Sequence, residues 1–212
     1  MLRIVQFTFN PIQENTYLLY NEAGEAALID TGCYFDAEKQ QLTQFIEEHK
    51  LQVKWLLQTH CHLDHIFGLH WAVQTFGIEP YIHENEKPVL AYGDLSGEKW
   101  NLPFTNYRGP VQLLTEGQEI QMGKDKLKVI FAPGHSPGHV CFYCEAQDFL
   151  IGGDVLFQRS IGRTDLPGGS HQQLLTSIRE QLFTLPDATV VHPGHGPSTT
   201  IGEEKEENPF LQ

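Results

Sequence analysis

Apolar positions along the chain keep two periods. From Leu2 to Phe9 apolar and polar side chains alternate, which sets one face of an extended strand against a core. Asn10-Pro11 opens a turn, and the apolar runs Tyr17 to Tyr20 and Ala26 to Ile29 predict two more strands, close enough in sequence to pair antiparallel. Leu42, Phe45, Ile46 and His49 then take the i, i+3, i+4, i+7 spacing of a helix over about Asp36 to His49, with Asp36 as its N-cap. Val53 to Leu57 predicts a strand, and Leu69, Val73 and Phe76 a helix ending at Gly77.

Tyr81 to His83 predicts a short strand. Glu84 to Pro110 keeps no period, with Trp100, Phe104 and Tyr107 set among Gly and Pro; it reads as irregular, either the lining of a cleft or a self-packed surface loop. Strands return at Val111 to Thr115, Glu119 to Met122, Leu127 to Phe131, Val140 to Tyr143 and Phe149 to Ile151. Leu174, Ile178 and Leu182, four apart, predict a last helix, and Thr189 to Val191 a last strand. Each half is thus several strands with helices attached, which predicts an α/β protein of two sheets with helices outside. No low-complexity linker and no strong repeat divides the chain, so residues 1–212 are expected to form one domain.

Composition narrows the function classes. Hydrophobic residues make up 40% and charged ones 19%, as in ordinary globular proteins. Against 14 Lys+Arg stand 27 Asp+Glu, a net charge of -13, which argues against nucleic acid or an anionic membrane surface as a general partner. Met1 to Phe9 has neither a long apolar core nor a small-residue cleavage site, and no apolar run approaches a membrane span, so a cytoplasmic location is expected. Cys33, Cys61, Cys141 and Cys144 should then be reduced. The spacing Cys141-Phe142-Tyr143-Cys144 suits a redox or zinc pair, but it lies in a strand-like run where positions three apart face opposite sides, which predicts buried structural thiols.

The chemistry concentrates after the Val53 to Leu57 strand, at Thr59-His60-Cys61-His62-Leu63-Asp64-His65. On an extended backbone His60 and His62 project to one side and could grip one ion, while Asp64 and His65 fall where a helix begins and are free to hold a second. Imidazole with carboxylate suits zinc, iron or manganese rather than calcium or magnesium. A polar loop with locally satisfied histidines is the alternative, but three histidines and an aspartate in six residues weigh against it. More candidates end predicted strands: Gly134-His135 through Gly138-His139, Gly152-Gly153-Asp154, and His192-Pro193-Gly194-His195-Gly196. Asp30-Thr31-Gly32 ends the third strand, where Asp30 is either a hydrogen-bond partner of a metal-binding histidine or a turn residue. Glycine and proline beside each cluster suit tight turns that close on a centre.

Taken in order, Asp30, His60, His62, Asp64, His65, His135, Asp154 and His195 resemble the metallo-β-lactamase superfamily over nearly the whole chain. The resemblance implies a four-layer αβ/βα sandwich with its site along one edge of the two sheets. It implies two divalent ions, zinc first, with iron or manganese as alternatives. The first would be held by His60, His62 and His135, the second by Asp64, His65 and His195, and Asp154 would bridge them. Neither His139 nor His192 matches a ligand position; His139 is expected behind the ligands and His192 in a structural role.

Within the superfamily, Gly153-Asp154-Val155-Leu156-Phe157, Ile161-Gly162-Arg163-Thr164-Asp165, His195-Gly196-Pro197 and Asn208-Pro209-Phe210-Leu211 are similar to the glyoxalase II group. That likeness implies thioester hydrolysis, with S-acylglutathione such as S-D-lactoylglutathione as substrate and a metal-bridging hydroxide as nucleophile. Arg163 would hold the glutathione, and Asp64 would orient the hydroxide and take its proton. Glyoxalase II proper continues into a helical domain, whereas 17 residues follow His195 here (212 − 195). The chain therefore looks like a short subgroup lacking that domain. The alternative is a persulfide dioxygenase, suggested by Thr59-His60-Cys61-His62 and Gly162-Arg163-Thr164-Asp165, with one iron on His60, His135 and Asp154.

Overall fold

The computed structural model describes residues 1–212. Its opening strands pair as the alternation predicts: β1 (Arg3–Phe9) lies antiparallel to β2 (Glu14–Tyr20), and β2 antiparallel to β3 (Glu25–Ile29). Helix α1 (Asp36–Glu48) then crosses over to β4 (Gln52–Leu57), which runs parallel to β3. Two helices, α2 (Leu63–Ile66) and α3 (Leu69–Phe76), lead to β5 (Pro80–His83), and β6 (Gln112–Leu114) completes a sheet of order β1-β2-β3-β4-β5-β6.

The second half is built from β7 (Glu119–Met122), β8 (Asp125–Phe131), β9 (Val140–Cys144) and β10 (Phe149–Gly153). A small hairpin, β11 (Leu156–Phe157) with β12 (Ser160–Ile161), follows. Next come a helix over His171–Ser177, prolonged by a wider turn over Ile178–Leu182, then β13 (Val190–Pro193), β14 (Thr199–Thr200) and a C-terminal helix over Ile201–Glu207. The strand order is β14-β13-β10-β9-β8-β7, so each sheet runs from one flank to the other through six strands.

Neighbouring residues on the central strands enter different layers, because strand side chains alternate. Tyr17, Leu19, Ile29 and Leu57 of the first sheet meet Val129, Phe142, Cys144 and Ile151 of the second. On the outer face of the first sheet, Leu18, Leu28 and Leu56 pack on Leu42 and Ile46 of α1 and Ala72 of α3. On the outer face of the second, Ile130, Cys141, Leu150 and Val191 pack on Leu174, Ile178 and Leu182. The result is a four-layer αβ/βα sandwich. Cys141 faces the helices and Cys144 the space between sheets, and all four cysteines are buried free thiols. No helix is long and apolar enough to cross a membrane.

Two expectations need correction. Glu84 to Pro110 is largely helical at its start, with a single turn over Glu84–Glu86, then α4 (Lys87–Ala91) and α5 (Gly93–Lys99). These pieces are too short to display a helical period, and Gly93 and Gly97 argue against a helix on propensity alone. Both glycines answer to packing: a Cβ on Gly93 would stand 2.7 Å from Asn106 Nδ2, and one on Gly97 2.9 Å from the Leu102 carbonyl. The N-cap of α1 is Phe35 rather than Asp36. The Glu38 carboxylate accepts from the Tyr34 and Phe35 amides at 2.7 and 3.0 Å, while Asp36 pairs with Lys39 in the first turn.

Phe142 is fully buried between the sheets. Phe142→Ala should lower the unfolding free energy by about 3–5 kcal/mol, read from urea denaturation midpoints at constant slope. A loss under about 1 kcal/mol would mean that the inter-sheet layer closes over the cavity.

Candidate metal centre

The candidate residues come from strand ends along one edge of the sandwich. After β4 the backbone is held by Asp30, whose Oδ1 accepts from the Thr59 amide and Oδ2 from the Thr59 hydroxyl, both at 2.7 Å. Asp30 ends β3 at φ 52°, a left-handed conformation that aims its carboxylate at the neighbouring strand end. His62 is still extended and caps α2, so His60 and His62 precede the helix while Asp64 and His65 occupy its first turn. His135 follows β8, Asp154 follows β10, and His195 follows β13, which runs parallel to β10. Gly153 takes φ 50°, and a Cβ there would come within 2.6 Å of His139 Nε2. Gly194 approaches Asp154 so closely that a Cβ would collide with its Oδ1.

Outer hydrogen bonds assign the ring protons. Thr59 Oγ1 donates to Asp30 and therefore accepts from His60 Nδ1, 3.0 Å away. His65 Nδ1 donates to Asp30 Oδ2 at 3.0 Å, His135 Nδ1 to the Arg163 carbonyl at 2.7 Å, and His195 Nδ1 to the Gln13 carbonyl at 3.1 Å. In the neutral rings four Nε2 atoms are thereby left with lone pairs turned inward. They converge. His135 Nε2 lies 2.8 Å from His62 Nδ1, 3.2 Å from His60 Nε2 and 3.5 Å from Asp154 Oδ2. His195 Nε2 lies 3.1 Å from Asp64 Oδ2 and 3.5 Å from Asp154 Oδ2. His65 Nε2 lies 3.5 Å from Asp154 Oδ1 and 3.7 Å from Asp64 Oδ2.

Lone pairs and carboxylate oxygens at these distances repel unless a cation stands among them. Tetrahedral ligands about 2.0–2.1 Å from zinc are spaced about 3.3 Å apart, inside the range found here. His65 Nε2 and Asp154 Oδ1 are buried without any hydrogen-bond partner. His60, His62 and His135 form one group whose ligand atoms lie within 4.8 Å of one another, Asp64, His65 and His195 another, and Asp154 touches both. The donor set fits divalent transition ions.

Burial lowers the proton affinity of each histidine at the centre first, and neighbours then divide them. His60 and His139 fall far below the ordinary range and His62 is pushed down to about 3, with nearby histidines adding to the burial effect. At His65 the carboxylates of Asp64 and Asp154 outweigh burial and raise it, and at His195 Asp154 and Asp64 do the same. Burial pushes the carboxyls of Asp64 and Asp154 up, but His65 and His195 overcome it and hold both below their usual range.

His139 lies behind the ligand candidates, its ring 4.9 Å from that of His60 and its Nε2 accepting from the Asp154 amide at 3.0 Å. His192 stands apart and meets Ser198 Oγ. Arg163 reaches the cavity beside the centre, but Asp165 takes its guanidinium in two bonds of 2.7 and 2.8 Å, and Trp100 lies under it at 5.8 Å. That cavity, of about 320 Å³, has an apolar wall of Ile12, Leu63, Trp100, Phe157 and Leu166. Two buried acids escape sequence reading. Glu14, wholly buried, brings Oε1 within 3.9 Å of His65 Nδ1, and Glu86 joins the loop of His60 and His62 to the loop of His135. A single glutamate in a polar stretch gives no signal of either contact.

This edge-on cluster on an αβ/βα sandwich defines a metal-dependent class of protein. The chain belongs to the metallo-beta-lactamase superfamily, whose family model matches residues 9–195. It is 42% identical over 202 residues to the probable metallo-hydrolase YqgX of Bacillus subtilis, covering 95% of this chain and 93% of that one. It is 38% identical over 202 residues to the hydroxyacylglutathione hydrolase GloC of Haemophilus influenzae, covering 94% and 93%. Among solved structures, BLEG-1 B3 metallo-beta-lactamase superposes with a TM-score of 0.90 at 40% identity, covering 99% of this chain and 100% of that one. TTHA1623 in a di-iron-bound form gives 0.88 at 38%, covering 98% and 100%.

The metal-free protein should lose stability on acidification. His60, His62, His135 and His139 resist protonation when folded but accept it below about pH 6.5 when unfolded. The unfolded chain then binds more protons, so stability falls as pH drops from 6.5 toward 5. His65 and His195, raised in the fold, oppose the trend weakly because their unfolded forms charge in the same window, and Glu14 and Glu86, raised by burial, oppose it too, but the four lowered histidines outweigh them. Urea midpoints measured with chelator should fall accordingly; a flat or rising profile would contradict this account.

Proposed function

We propose that the chain is a dinuclear metal hydrolase of thioesters, acting on S-acylglutathione such as S-D-lactoylglutathione, and that residues 1–212 act as one domain. The observation that carries this reading is the convergence of inward lone pairs and carboxylates around Asp154, in two groups that share it. His60, His62 and His135 would hold one ion, Asp64, His65 and His195 the other, with Asp154 between them and zinc the first choice. Bound ions would supply a water ionised near neutral pH and a Lewis acid for the thioester carbonyl.

The chain's own residues do the rest. Asp64 orients the attacking water and accepts its proton, and His195 Nε2, 3.1 Å from its Oδ2, belongs to the same group. A thiol leaves with a pKa of about 8.5 and needs no strong acid. Ile12, Leu63, Trp100, Phe157 and Leu166 cover the acyl group and exclude water. Arg163, the one Lys or Arg on the cavity wall, receives a carboxylate of the carrier. The likeness to GloC supports this choice of substrate.

Purified protein should release thiol from S-D-lactoylglutathione, and His60→Ala should not. Asp154→Ala should lose bound metal by elemental analysis and at least about 100-fold in rate, the scale seen when one oxyanion stabiliser is removed. Full activity in Asp154→Ala would overturn the dinuclear scheme. One iron per chain with oxygen uptake on glutathione persulfide would replace it with dioxygenase chemistry on His60, His135 and Asp154.

A further inference from the structure

Glu86 lies outside the ligand cluster, in the helical turn after β5, and is 1% exposed. Its two carboxylate oxygens are spent on two different loops. Oε2 accepts from the Cys61 amide at 2.8 Å, the peptide group between His60 and His62. Oε1 accepts from Ser136 Oγ at 2.6 Å and from the Gly138 amide at 2.7 Å, in the loop that carries His135. Gly138 lets that loop come so near, since a Cβ there would stand 2.8 Å from Glu86 Cγ. One buried carboxylate thus joins the backbone beside all three histidines of the first group. It touches nothing in the second group, where Asp30 holds His65 instead.

We infer that Glu86 is a positioning residue for the His60, His62 and His135 half of the centre, setting the affinity of that half for a divalent ion. A carboxylate suits this task because each of its three partners donates a hydrogen. An amide offers one acceptor oxygen, and its NH2 would face a donor amide, so Glu86→Gln keeps the shape and loses the fit. Buried partners one step removed from the ligands commonly change metal affinity 10- to 100-fold when replaced. The inference rests on the two-ion reading, and the test separates the two claims.

Chelator-stripped protein is titrated with zinc chloride against a chromophoric competitor, and the thermal midpoint of the metal-free form is recorded. Wild type should take two ions, and Glu86→Gln should weaken one by about 10- to 100-fold, with the metal-free midpoint little changed. Ser136→Ala, which removes one of the three bonds, should weaken the same ion less and serves where Glu86→Gln folds poorly. In a His195→Ala background Glu86→Gln should weaken the remaining ion; in a His62→Ala background it should not. Cobalt in the first group should show an altered visible spectrum in the variant. Two ions bound as tightly as in wild type, or equal weakening of both together with a lowered metal-free midpoint, would overturn the role given to Glu86. A single ion in wild type would overturn the two-ion reading, and Glu86 would then be judged on that ion alone.

Discussion

A buried cluster of lone pairs is unstable by itself, and much of this fold exists to create one. Four ring protons near the centre are drawn outward: those of His60 and His65 to Asp30, through Thr59 or directly, that of His135 to the Arg163 carbonyl, and that of His195 to the Gln13 carbonyl. Those acceptors come from different elements of both halves, so the tautomers follow from the backbone path. A buried polar atom left unpaired costs about 1–3 kcal/mol. His65 Nε2 and Asp154 Oδ1 both stand in that condition, which makes the centre a place where the protein gives up stability that a cation can restore.

The two halves meet at this point and are tied there by polar contacts as well as by the inter-sheet core. The Tyr17 hydroxyl and Asn15 Nδ2 both donate to the Pro193 carbonyl, at 2.7 and 3.1 Å, and the Asn15 amide donates to the Gly194 carbonyl at 2.7 Å. The first sheet thus fixes the turn that presents His195. Above the cavity, α5 contributes Ser96 and leads into Trp100, so the wall facing the centre is set by short helices on long connections. Strand ends hold the chemistry, and the connection between β5 and β6 shapes what reaches it.

Periodic elements were readable because apolar spacing is a long-range average over many residues. The strands at Leu2 to Phe9 and Leu127 to Phe131 and the helices beginning at Asp36 and Leu69 are of this kind. The elements over Lys87–Lys99, Leu156–Ile161 and Thr199–Glu207 are too short to build such an average, and their form depends on neighbours far away in sequence. The same contrast runs through the site. Histidine and aspartate beside glycine at strand ends stand out by residue type, so the sequence could name them. Glu86 and Glu14 are ordinary acids in polar stretches, and only the tertiary fold brings them against the histidine loops. Arg163 and Asp165 could be named as neighbours, but the two-bond pairing that holds the guanidinium beside the cavity could not.

The ligand candidates run from position 60 to position 195 and are gathered from both sheets. An ion bound among them would act as a staple, closing long stretches of chain into loops that the unfolded state cannot keep. Ligand present at a thousandfold excess over its dissociation constant adds about 4 kcal/mol to the folded state, a large share of what holds most domains together. Metal supply would then govern turnover of the chain as well as its catalysis. A copy without ions lacks that closure, and its two halves part more readily along this edge.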